Sequence, residues 1–137
     1  MATIKSFTDI DQSKRLAEIL PIESADMHHS KDLDGSWLVD LAKYTSVKIP
    51  KYVGNVEEHL LPCWSLAALL EQLPYELCDD DGNSLYLQIY KDDDLYQLEY
   101  KDHSLYGDFE SIETDRYEDF VDACVAMIKR LHELNLL

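Results

Sequence analysis

Two adjacent histidines, His28 and His29, lie among Glu23, Asp26, Asp32 and Asp34, residue types that ligate divalent metals. Their spacing argues against a metal site. Neighbouring histidines on a strand point to opposite faces, and no further His or Cys stands at the intervals zinc sites use. The segment reads as a polar surface loop.

A second candidate is Glu57-Glu58-His59 followed by Cys63-Trp64-Ser65. On one helix, His59 and Cys63 would align as base and nucleophile, but Leu61-Pro62 interrupts it. A reactive thiol also needs an electropositive, accessible setting. This one stands in an apolar block beside two glutamates, so a packed cysteine is expected. The acidic turn Asp79-Asp80-Asp81-Gly82 resembles the start of a calcium loop. With Gly82 at the glycine position, however, position 1 falls on Leu77 and position 12 on Gln88, neither of which is the required carboxylate. It reads as a solvated hairpin turn. No catalytic residue, metal ligand or cofactor is assigned.

What remains is aromatic and acidic. Of nine tyrosines, Tyr86, Tyr90, Tyr96, Tyr100 and Tyr106 gather in the C-terminal half, with Asp92-Asp93-Asp94 between them. Tyrosine suits half-buried pleated surfaces and is also enriched at protein interfaces. These eight residues are the candidate partner-binding set.

The elements that position them follow from periodicity. A first helix is expected over 9–20, with Thr8 as N-cap, Asp11 three residues on and Pro21 as its stop. Asp26 to Gly35 reads as loop, and Ser36 to Leu41 as a strand by its aromatic and β-branched content, with a short helix continuing to Tyr44 as the alternative. A second helix is expected over 63–73, apolar on nearly every side. Residues 75–101 read as an antiparallel meander, in which Leu85, Leu87 and Ile89 share one face of their strand, and Tyr96, Leu98 and Tyr100 share one face of theirs, with Gln97, Glu99 and Lys101 on the other. The last helix, 117–134, carries the stripe Phe120, Ala123, Cys124, Met127, Ile128, Leu131 and Leu134, with Asp115 as cap and Glu118 three residues on. The fold class is α+β: a three- or four-stranded antiparallel sheet covered by about three helices, in a single domain spanning 1–137.

Charge bounds the partners. Twelve Lys and Arg stand against 28 Asp and Glu, a net of −16 in 137 residues. Residues 1–74 hold 7 basic and 11 acidic residues; residues 75–137 hold 5 and 17, a net of −12. Direct nucleic-acid binding and anionic membranes are excluded as partners, because both need clustered cations. A basic protein partner fits, and self-association stays open. Three widely spaced cysteines, Cys63, Cys78 and Cys124, make no disulfide framework and suit the reducing cytoplasm. No apolar run approaches the ~20 residues of a membrane span, and the N-terminus has no apolar signal region.

Several segments taken in order carry a resemblance. They are Leu16-Ala17-Glu18-Ile19-Leu20-Pro21, Glu23-Ser24-Ala25-Asp26-Met27, the more specific Pro62-Cys63-Trp64-Ser65-Leu66-Ala67-Ala68-Leu69-Leu70, and Asp122-Ala123-Cys124-Val125-Ala126-Met127-Ile128. Together they resemble a family of uncharacterised small proteins encoded by phages and integrated mobile elements of gut Bacteroidetes. The resemblance implies an intracellular accessory protein and carries no activity to any residue. Three functions fit these observations. The leading one is a non-catalytic acidic protein that binds another protein. The others are a DNA mimic occupying the basic groove of a nucleic-acid-binding protein and a small enzyme assembled from scattered carboxylates and histidines.

Overall fold

The computed structural model describes all residues except 1–4, 32–33, 42–59, 79–81 and 103–110. The fold is α+β, with three α-helices and two antiparallel sheets among the described residues. The chain divides into two compact units, residues 5–72 and 73–137.

The first unit opens on a short bridge. Phe7 pairs antiparallel with Ser65, Thr8 N–H donates to Trp64 O at 3.0 Å, and Leu66 N–H donates to Ser6 O at 3.1 Å. Helix α1 then runs Ile10–Ala17. Its N-cap is Asp9, not Thr8. Asp9 accepts from Gln12 N–H at 2.8 Å, and the Gln12 side chain accepts from Asp9 N–H at 3.1 Å, a complete capping box. The reason for the shift is that the Thr8 hydroxyl is wholly buried and engaged elsewhere. The helix also ends before the expected Leu20, two turns long.

A 3₁₀ turn over Ile22–Ser24 leads into strand β1, Met27–Lys31, which corrects the expected loop there. Strand β2, Trp37–Leu41, falls where its aromatic and β-branched residues place it. Strand β3, Leu60–Cys63, takes Cys63, the residue expected to begin the second helix. The order is β2-β1-β3. Pro62 is tolerated in β3 because that strand lies at the sheet edge. Helix α2 is confined to Leu66–Gln72. The Ser65 hydroxyl accepts from Ala68 N–H at 3.2 Å in the manner of an N-cap.

The second unit is the meander with one strand added. Strands β4, Glu76–Cys78, β5, Ser84–Asp92, β6, Leu95–Lys101, and β7, Ile112–Glu113, lie in sequential order. Asp92 pairs with Leu95, so Asp93-Asp94 forms a two-residue hairpin turn, and Asp93 takes the left-handed φ of +52° that such turns require. Helix α3 spans Phe120–Glu133 with Asp119 at its N-cap. The expected cap at Asp115 is displaced because residues up to Tyr117 remain extended, paired with Tyr96. The edge of the Phe120 ring meets Tyr96 at 5.0 Å between centroids, which places α3 on the sheet face carrying Tyr96, Leu98 and Tyr100. Of the stripe, Ala123, Cys124, Met127, Ile128 and Leu131 are buried, as is Val121 outside it; Phe120 is half-buried and Leu134, just past the helix end at Glu133, is exposed.

Candidate functional site

The first cluster with chemical potential is buried in the unit of residues 5–72. His28 and His29 lie inside β1, at 2% and 3% exposure, where a surface loop was expected. A buried histidine needs partners, and His29 has one: its Nε2–H donates to Thr8 O at 2.8 Å, while the edge of the Phe7 ring meets the imidazole. Met27 pairs with Cys63, so His29, two residues on, shares a flank with the thiol. Cys63 S–H donates to the same Thr8 carbonyl at 3.5 Å. The Thr8 hydroxyl accepts from Trp64 N–H at 3.1 Å and shares a 2.8 Å bond with Ser13. Nearby, the Trp64 indole N–H donates to Ser24 Oγ at 2.8 Å, and Asp26 accepts from both the N–H and the hydroxyl of Ser65.

This network joins histidine, cysteine and hydroxyls, yet its electrostatics oppose nucleophilic catalysis. Burial pushes the Cys63 thiol up to about 11, so it stays protonated. Burial also lowers His29, against the backbone hydrogen bond that favours its charged form. Nε2 is spent on a carbonyl instead of on the thiol. The cluster cross-links β1, β3, α1 and the 6–8 segment. Among the described residues, no three His, Cys, Asp or Glu side chains gather as a metal site requires. His59, His103 and the Asp79–Asp81 turn lie outside the described residues.

The second candidate is the face of the four-stranded sheet opposite α3. Cross-strand register places Tyr86 with Lys101, Gln88 with Glu99, Tyr90 with Gln97 and Asp92 with Leu95 on that face. Tyr90, Asp92, Leu95, Gln97, Glu99 and Arg116 enclose a hollow of ≈ 250 Å³. Two carboxylates, an amide, a guanidinium, an aromatic ring and an aliphatic chain meet there. Arg116 reaches Asp92 at 3.6 Å, an exposed pair that is weak in water. The hollow is smaller than the usual range for small-molecule sites and suits a single inserted side chain.

The eight residues expected to bind a partner divide sharply. Tyr90 and Asp92 line the hollow. Tyr86 is on the same face, its ring 5.7 Å from that of Tyr75, which is 75% exposed and was not anticipated. Asp93 and Asp94 are exposed in the turn beside it. Tyr96 lies on the opposite face against Phe120. Tyr100 is wholly buried and donates its hydroxyl to Pro74 O at 2.6 Å, so it belongs to the core. Burial raises its phenol well above the usual value. Tyr106 lies outside the described residues. Strand alternation separates Tyr86 and Tyr90 from Tyr96 and Tyr100 once the register is known. The contributions of Gln97, Glu99 and Arg116 come from pairing and from the β7-to-α3 connection, which single-strand patterns do not reveal.

No protein-family model, no curated protein and no solved structure matches this chain. No helix among the described residues is long and apolar enough to cross a membrane.

Proposed function

We propose that this chain is a non-catalytic binding protein that receives a basic segment of a partner protein on the face of its four-stranded sheet opposite α3. The observation that carries the reading is the hollow lined by Tyr90, Asp92 and Glu99, two carboxylates against the one guanidinium of Arg116, whose exposed pairing with Asp92 an incoming cation can displace. An aromatic face beside carboxylates is an arrangement that accepts a Lys or Arg head, through cation–π attraction and charge-assisted hydrogen bonds. The net charge of −12 over residues 75–137 adds long-range attraction for such a partner. Three free cysteines suit a cytoplasmic setting, and the resemblance to phage and mobile-element proteins suits an accessory role. A DNA mimic is favoured less. Glu99 and Glu113 are cross-strand partners on the hollow's face, whereas Asp122 lies on α3, across the sheet, so these carboxylates do not form one phosphate-like row.

The test is to titrate ¹⁵N-labelled protein with an octapeptide of alternating lysine and valine. Shift changes should concentrate at Tyr90, Asp92, Gln97 and Glu99 and weaken steeply with salt. Changes scattered over the whole surface, or none, would remove this reading.

A further inference from the structure

The backbone hydrogen bonds of the four-stranded sheet are unevenly closed. On β6, the groups of Tyr96, Leu98 and Tyr100 point away from β5, and all three positions are covered. Tyr96 exchanges both bonds with Tyr117, Leu98 N–H donates to the Thr114 hydroxyl at 3.1 Å and its carbonyl accepts from Thr114 N–H, and Tyr100 pairs with Ile112. On β5, the corresponding outward positions are Leu85, Leu87, Ile89 and Lys91, since Leu87 N–H donates to Tyr75 O at 3.0 Å and the direction alternates. β4 is three residues long and covers Leu85, and Tyr75 covers Leu87. Nothing among the described residues pairs with the outward backbone of Ile89 and Lys91. Ile89 is 46% exposed and Tyr90 40% exposed, and Lys91 and Asp92 are exposed too. Among the described residues, this stretch of β5 offers an open template for a further strand.

We infer that the outer edge of β5, from Ile89 to Asp92, binds an extended basic segment of a partner protein by strand addition. The inference rests on the binding face proposed above and supplies its mode. Side-chain alternation fixes the pattern such a segment must have. Residues opposite Tyr90 and Asp92 fall on the side of the hollow and meet an aromatic ring and a carboxylate, so they are basic. The residue opposite Ile89 falls on the α3 side and meets a half-exposed aliphatic chain, so it is apolar. Asp93 and Asp94 at the adjoining turn add negative charge at the end of the same edge. The main chain supplies affinity and the alternate side chains supply specificity, as in other strand-addition sites. A second copy of this chain fits the edge poorly. Laid antiparallel with Ile89 opposite Lys91, it would bring its Asp93 and Asp94 toward Tyr75 and Glu76, between two chains of net charge −16.

The experiment uses the full chain and the alternating Lys–Val octapeptide. Amide hydrogen exchange of Ile89 and Lys91, which have no backbone partner among the described residues, should slow at least about tenfold at saturating peptide. Lys91→Pro removes an outward N–H that the sheet does not use, and edge positions tolerate proline. This variant should keep its thermal midpoint near wild type and lose about tenfold or more in affinity for the peptide. Lys91→Ala, which keeps the N–H and removes a repelling cation, should bind at least as well as wild type. Peptide binding that leaves both amides exchanging as in the free protein, with Lys91→Pro binding like wild type, overturns strand addition and leaves the face intact. Absence of any peptide binding overturns both. Protection of the two amides that rises with protein concentration without peptide would assign the edge to a second copy and overturn the basic occupant.

Discussion

Replacing Thr8 by valine keeps the side-chain shape and deletes one oxygen at the centre of the first unit's polar network. That oxygen accepts from Trp64 N–H at 3.1 Å and shares a 2.8 Å hydrogen bond with Ser13, and all three residues are buried. A buried N–H left without a partner costs about 1–3 kcal/mol, and the lost hydroxyl pair about 1 kcal/mol more. The expected loss is therefore roughly 2–4 kcal/mol, a large part of a typical stability of about 5–15 kcal/mol. Urea denaturation followed by tryptophan fluorescence measures it. Thr8→Ser is the control: it keeps the hydroxyl and gives up one methyl, about 1 kcal/mol or less. If Thr8→Val unfolds within about 0.5 kcal/mol of wild type, the usual scatter for surface changes, the network does not hold the unit together and the reasoning fails.

Three further outcomes are expected. Cys78 is exposed, whereas Cys63 and Cys124 are buried with thiols pushed up to about 11 and about 12, so a disulfide reagent should modify one thiol quickly in the native protein and all three in denaturant; two fast thiols would contradict this. His29 titrates below its ordinary value when folded, chiefly because it is buried, so the unfolded chain takes up the proton first. Its contribution is fully present above about pH 6.5 and is lost as pH falls below that, so wild type should lose more stability than His29→Gln between about pH 7 and 5; equal losses would refute it. Leu131→Ala, at a position with no exposure, should cost about 2–5 kcal/mol, and an unchanged denaturation midpoint would place the stripe outside the core.

Much of the second unit was legible from sequence because its signals are local. Alternation in β5 and β6, a turn at Asp92-Asp93-Asp94 and the α3 stripe each need only neighbouring residues, whereas the tightening of that turn to Asp93-Asp94 follows from the Asp92–Leu95 pairing. The first unit was harder, for two reasons. β1 reads Met-His-His-Ser-Lys, a polar sequence whose burial is stabilised by the Thr8 carbonyl, 21 residues away in the chain. β3 contains a proline, acceptable only because the strand is at an edge, a property of the assembled sheet. The same limit governs the candidate site. Tyr90 and Asp92 were recognisable as residue types, but Tyr100 has the same type and is core. Glu99 and Arg116 join the hollow through cross-strand register and the segment before α3, which no local pattern encodes.

The central claim is that the face around Tyr90 binds a basic segment. The most direct measurement is calorimetric titration of the alternating Lys–Val octapeptide into wild type and into a Tyr90→Ala/Glu99→Gln double variant, at low and at high salt. The account predicts binding to wild type that weakens with salt, and at least about tenfold weaker binding to the variant at unchanged thermal stability, because two of the groups lining the hollow are gone. Equal affinity of the two proteins, or affinity indifferent to salt, would contradict it.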